Sequence, residues 1–300
     1  MKRFNDYINE AKKKDEEEDC PTVPPMREIL SNSSPFIMRN LMRGRESIVY
    51  GFDVYSPESK KCIKKNAKNI DHNRDCISAV NSWFDTRMKG KADIMGEIIE
   101  MGNYPNKASW ACWQGTGYRG LVKNKRFAEK INLTGDIVVK PGQQGKDEFY
   151  AVGYETYKSK YAAQSWSSEW KIAFKFCSLD ADTDKLSVIV EMPLNKKETL
   201  FSPEFTNMVS NYSESEVIRT SNKPTKCKMY LRLHEIHYGL NWKIVYPFKL
   251  EKASEKEKEK YYVQEWSKKL AVLLGDKNAK KLLNNPKYMS IVKRKRRTDY

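Results

Sequence analysis

Gly117-Tyr118-Arg119-Gly120-Leu121, Ser165-Trp166-Ser167 and Glu214-Ser215-Glu216 follow one another in that order through the middle of the chain. The first stretch comes after Ala108-Ser109-Trp110-Ala111-Cys112-Trp113, an apolar and aromatic run that places Arg119 at the edge of a core strand. A guanidinium there can grip a phosphate bidentately and never loses its charge. Ser165 and Ser167 follow Tyr161-Ala162-Ala163 and precede Trp170 to Phe176, which reads as a small-polar strand end running into an apolar helical segment. Glu214 and Glu216 follow Phe205 to Tyr212, which reads as a mobile loop, and lead into Val217-Ile218. A second strand is predicted from Cys227 to Ile236, after the Asn222-Lys223-Pro224 turn. In an extended segment residues two apart share a side, so both carboxylates would face one way.

In order and context the three motifs resemble the active-site signature of the arginine-type mono-ADP-ribosyltransferases, over roughly residues 75 to 240. The resemblance implies an α+β protein. Its core would be a split β-sheet, two roughly perpendicular antiparallel sheets with NAD in the cleft, preceded by N-terminal helices and followed by a C-terminal helical extension. It also implies roles. Glu216 would stabilise the positive charge that develops on the ribose as nicotinamide leaves. Glu214 would orient and deprotonate an acceptor guanidinium. Ser165 would hold Glu216, while Arg119 and the backbone of Gly120 would grip NAD, with Ser167 nearby. Phe174 would stack on nicotinamide and Tyr212 would touch the substrate protein. NAD is then a substrate, and no metal is implied. The pattern departs from the family where Trp166 stands in place of Thr, and where Arg119 lies close to a Trp-rich run. Two other readings of the same residues stay open. One is an NAD glycohydrolase with water as acceptor. The other is a basic, non-catalytic protein whose serines, carboxylates and arginine are solvated surface groups.

Met1 to Ala11 forms an amphipathic pattern with Phe4, Ile8 and Ala11 on one face. It resembles the capsid-targeting peptide of internal head proteins in T-even-type phages, with Ile8-Asn9-Glu10 as the processing site. That resemblance implies packaging in a phage head, injection with DNA and action in the host cytoplasm. The charge agrees with it: 55 Lys plus Arg against 39 Asp plus Glu leave a formal +16, which favours nonspecific phosphate contact without base recognition. Lys293-Arg294-Lys295-Arg296-Arg297 reads as a disordered basic arm. The six cysteines, Cys20, Cys62, Cys76, Cys112, Cys177 and Cys227, contain no Cys-x-x-Cys pair, and His72, His234 and His237 complete no ligand set with them. Neither zinc nor disulfides are expected. With no long apolar run or signal peptide, a soluble, intracellular protein with no membrane partner is expected.

Four segments follow. Residues 1 to 25 form a flexible leader, cleaved under the phage reading. Residues 26 to 74 contain a helix at Ile37 to Met42 and an alternating, strand-like Ser47 to Tyr55. Residues 75 to 245 form the catalytic domain, opening on a helix with Ile77, Val80, Phe84 and Met88 on its core face and a second helix around Ile94, Ile98 and Met101. Residues 246 to 300 hold a helix from Ala253 to Leu274, with Tyr262, Trp266, Leu270 and Leu273 inward, and the basic tail.

Overall fold

The computed structural model describes residues 20–32, 34–84, 96, 109–124, 126–142, 146–160, 163–177, 185–209, 214–236, 244–250 and 252–296. The elements run α1 (Met26–Asn32), α2 (Pro35–Met42), α3 (Glu46–Tyr50), α4 (Lys60–Phe84), β1 (Gly115–Asn124), α5 (Arg126–Lys130), β2 (Asn132–Pro141), β3 (Asp147–Tyr157), β4 (Gln164–Ser167) and α6 (Trp170–Cys177). There follow β5 (Lys185–Leu194), β6 (Thr199–Leu200), α7 (Pro203–Val209), β7 (Glu216–Arg219), β8 (Thr225–Arg232), α8 (Glu255–Leu274), α9 (Asp276–Leu283) and α10 (Pro286–Arg296). The protein is mixed α+β. The chain divides into two compact units, one comprising the chain up to Gln114 with Tyr161–Gln164 and Asn195–Ser221, the other comprising Gly115–Lys160, Ser165–Leu194 and Asn222 onward. This division differs from the segments set at residues 74/75 and 245/246.

The first unit is organised by α4. Its inward stripe carries Ile70, Cys76, Ala79, Val80 and Trp83, but also Asn66 and Asn73, so it is a core helix with polar notches. The notches hold chain. Asn66 Oδ1 accepts from the Val23 amide at 2.8 Å and its Nδ2 donates to the Pro21 carbonyl at 3.1 Å; Asn69 and Asn73 donate to the carbonyls of Val23 and Pro24 at 2.6 and 2.9 Å. Residues 20–25 are therefore strapped along α4, with Val23 fully buried, where a flexible leader was expected; residues 1–19 lie outside the described residues. Cys20 and Cys62 are joined by a disulfide across a Cα separation of 5.3 Å, well within the reach of such a bond. That corrects the expectation of unpaired cysteines, since the strap rather than any cysteine spacing brings them together.

Ser47 to Tyr55 is not a strand. Glu46 to Tyr50 makes one short helix, and Gly51, at φ 75°, ends it in the left-handed conformation that glycine adopts without penalty. Buried Glu46 anchors this helix by accepting two 3.0 Å bonds from Arg74. Phe205 to Val209 is also helical rather than a loop. Ser202 receives the Phe205 amide at 3.2 Å, and Pro203 and Glu204 follow in the first turn, a start signal that the aromatic run obscured. Phe205 is fully buried, its ring 4.8 Å from that of Phe201. The hairpin of β6 and β7 pairs Thr199 with Arg219 and Leu200 with Ile218. Thr199 Oγ1 both accepts from the Trp113 amide at 2.9 Å and donates to its carbonyl at 2.7 Å. The Trp-rich run is accordingly a short helical turn at Ser109–Ala111, tied to β6 before β1 begins.

In the second unit the strands lie in the antiparallel order β2-β3-β8-β5-β1-β4. β1 and β5 pair along their whole length, from Gly115 with Leu194 to Asn124 with Lys185. α6 packs on one face of this sheet, with Ala173, Phe174 and Cys177 against Tyr150, Val152, Ile189 and Tyr230. The predicted second strand ends at Arg232, four residues early. Beyond it sits a buried charge hub. Arg232 donates to both Glu148 oxygens, at 3.1 and 2.6 Å, and to Glu235 Oε1 at 3.0 Å. Ser187 Oγ lies 2.5 Å from the Cys177 carbonyl oxygen and 3.0 Å from Glu235 Oε1. Burial pushes the Glu235 carboxyl up, against the pull of Arg232 and of the Ser187 hydroxyl.

A carboxyl whose folded pKa exceeds its unfolded value favours the native state only while protonated, so wild-type stability falls as pH rises from the ordinary glutamate value through the raised one. Glu235→Gln does not titrate. Its Tm relative to wild type is expected to climb between pH 4 and pH 8, which differential scanning fluorimetry at matched ionic strength would read; a flat difference would contradict the raised value.

The C-terminal helices belong to this unit. A capping box at Ser254 and Glu257 starts α8, and Tyr262, Trp266, Leu270 and Leu273 are buried as expected. Asn278 of α9 accepts from the Leu133 amide at 3.2 Å and donates to the Ile131 carbonyl at 2.7 Å. Asn285 donates to the Gly135 carbonyl at 2.8 Å, beside the irregularity in β2 between Leu133 and Ile137. The basic tail is not a free arm through Arg296. It is the last turn of α10, where Lys293 pairs with Glu259 at 2.7 Å and Arg296, largely buried, pairs with Glu255. Residues 297–300, the predicted helices around Met88 and Ile94, and His237 lie outside the described residues.

Candidate active site

Arg119 lies on β1, whose Tyr118 is paired with Ser167 of β4. Arg119 Nη1 donates to the Ser165 carbonyl at 3.0 Å, so the first two motifs do meet, through side chain and backbone. One of five guanidinium donors is used in that bond, which fixes the planar fork and leaves other N–H groups for an anion. Lys123, on the same face of β1 four residues on, has its pKa lowered by burial and by the charge of Arg119. Together they make this face of the strand cationic.

The two-residue period sends Ser165 and Ser167 to one side of β4 and Trp166 to the other. Ser167 is buried and its Oγ accepts from the Glu169 amide at 3.0 Å, turning the chain into α6. Trp166 is 2% exposed, edge-on to Tyr157 at 5.5 Å between centroids. A Cβ on Gly117 would come within 3.3 Å of its ring. The large residue between the two serines is thus a core side chain accommodated by a glycine on β1. Gly120 is equally constrained, because a Cβ there would overlap the Ala173 carbonyl oxygen and lie 2.9 Å from the Cys177 nitrogen. Its bare backbone lets α6 come down onto the strand. Phe174 is 4% exposed, and the Arg232 guanidinium sits 5.0 Å above its ring. That face of the aromatic is already occupied.

Glu214 and Glu216 belong to the first unit. The period-of-two expectation fails here, since β7 begins at Glu216 and Ser215 is left-handed at φ 46°. The left-handed residue has local support: Asn207 Oδ1 accepts the Ser215 amide at 3.0 Å and Asn207 Nδ2 lies 3.3 Å from Ser215 Oγ. Glu214 is half-buried and off the strand. Glu216 is 6% exposed. Thr206 Oγ1 donates to the Glu216 carbonyl at 2.9 Å, and Trp83 Nε1 at the end of α4 donates to Glu216 Oε1 at 2.8 Å. The indole N–H fixes the direction of one carboxylate oxygen in a site nearly excluded from water.

The predicted residues therefore fall into Arg119, Gly120, Ser165, Ser167 and Phe174 in one unit and Glu214 and Glu216 in the other, while Tyr212 lies outside the described residues. Trp83, Thr206 and Asn207 were missed. A signal existed for Trp83: an indole on the inward stripe of a helix needs a partner for its N–H. Among the described residues no group of His, Cys, Asp or Glu is placed to hold a metal ion, and no helix is long and apolar enough to cross a membrane. No protein-family model, curated protein or solved structure matches this chain.

Proposed function

We propose that the protein is a mono-ADP-ribosyltransferase that moves ADP-ribose from NAD to arginine side chains of host proteins. The observation that carries this reading is a pair of preorganised fragments in one chain: Arg119 locked onto the Ser165 backbone, and a buried Glu216 carboxylate oriented by the Trp83 indole. Ordered donors and a dry fixed charge are what this chemistry demands. The C1′–N bond of the nicotinamide ribose breaks, and nicotinamide leaves with the bonding pair. Glu216 stabilises the oxocarbenium-like sugar, an acceptor guanidine nitrogen attacks C1′, and Glu214 takes the proton it sheds. Arg119, with Lys123 beside it, binds the pyrophosphate. A split-sheet core, two roughly perpendicular antiparallel sheets, goes with the reading as its expected fold. Packaging in a phage head and action in the host cytoplasm, with nonspecific DNA contact through the basic surface, complete it, supported by the +16 charge and the Met1 to Ala11 pattern.

The test is labelled-NAD transfer into bacterial lysate, read by gel alongside free nicotinamide. Wild type is expected to label discrete proteins. Glu214→Gln is expected to lose about 10²-fold or more of the labelling while nicotinamide release persists. Release without labelled protein in wild type would identify water as the acceptor. No NAD consumption from folded wild type would remove the enzyme reading and leave the basic head protein.

A further inference from the structure

Of the groups that fix Glu216, one acts on the carboxylate itself from a distant part of the sequence. Trp83 is the penultimate residue of α4 and only 3% exposed; its Nε1 donates to Glu216 Oε1 at 2.8 Å across 133 residues of sequence. The indole is held rigidly, in the same apolar cluster as Val80, Phe84, Phe201 and Phe205, so the N–H direction is set by packing rather than by rotamer choice. Thr206 and Asn207 fix the backbone on either side of the carboxylate. We propose that Trp83 is the positioning residue for Glu216, aiming its carboxylate. This rests on the role assigned to Glu216 above and adds to it a residue that none of the three motifs contains.

The physical consequence is specific. A donor to the charged form lowers a carboxylate's pKa, and its removal in a buried site raises it. Trp83→Phe removes the N–H and part of the ring. Replacement of Trp83 by 3-benzothienylalanine, in which sulfur stands for the N–H, preserves shape and so separates loss of the bond from loss of packing. Both variants are expected to lower kcat by on the order of tenfold, to leave the KM for NAD nearly unchanged, and to move the acid limb of the kcat–pH profile upward. A purely structural Trp83 would leave that limb where it is.

A second measurement does not depend on turnover. In ¹⁵N-tryptophan-labelled protein the Trp83 indole resonance, assigned by its loss in Trp83→Phe, is expected to titrate with a single carboxyl group and to shift in Glu216→Gln, where the titration disappears. An indole signal that is flat with pH and indifferent to Glu216→Gln overturns the proposal whether or not NAD is consumed. A titrating indole in a protein that consumes no NAD upholds the Trp83 control of Glu216 and removes the transferase reading alone. Normal kcat and an unmoved acid limb in the benzothienyl protein, with wild type active, also overturn it.

Discussion

Glu216→Gln is expected to lower nicotinamide release and protein labelling together by on the order of 10³-fold, with a Tm close to wild type. The size follows from position. The residue opens β7, is nearly excluded from water and is held at one oxygen by Trp83. Gln keeps an acceptor oxygen for the indole and nearly the same volume, so packing around α4 and α7 should survive. Under the proposed reaction, what disappears is the negative charge that would face the developing cation on the sugar. Burial enlarges that loss, because few water dipoles are present to substitute for it. Single-turnover nicotinamide release, with thermal melts as the control on folding, would check it. A variant retaining a third of wild-type activity would exclude Glu216 from the chemistry.

The second large effect is on the fold. Gly120→Ala is expected to destabilise the protein by upwards of about 3 kcal/mol, or to prevent soluble expression, because an added methyl meets backbone rather than a movable side chain. Its Cβ would overlap the Ala173 carbonyl oxygen and crowd the Cys177 nitrogen, forcing α6 off β1. Chemical denaturation of wild type and variant measures this. A near-wild-type midpoint would mean that α6 does not rest on the strand at that point. Gly120 entered as a candidate for gripping NAD through its backbone; its packing role is sufficient reason for a glycine there, independent of any ligand.

Local structure was legible where one face of the chain meets one environment. α2, α6 and α8 follow directly from their apolar spacing, and β1 and β4 fall where the arginine and serine motifs put them. Legibility failed where polar residues do core work or where a cap outweighs a pattern. Asn66, Asn69 and Asn73 look like solvent positions, yet they satisfy the backbone of residues 21–24, and no periodicity can announce a hydrogen bond to chain 46 residues away. Ser47 to Tyr55 alternates, but Gly51 ends a helix there. At the candidate site Arg119 and Ser165 were found by motif, and their contact by pairing register. For Trp83 the sequence signalled only that a buried indole needs a partner; which partner is set by how α4 meets β7 and not by anything adjacent in sequence.

The asparagines of the final helices carry one more consequence. Asn278 and Asn285 complete the hydrogen bonding of β2 at the place where its own ladder is interrupted. Unpaired buried amides and carbonyls are costly. A recombinant fragment ended at residue 245, the boundary that composition suggests, would strip a strand of its surrogate neighbour and bare Ile131 and Leu133, both fully buried in the intact protein. Helices α9 and α10 thus act, through Asn278 and Asn285, as an outer layer of the sheet written in helical form.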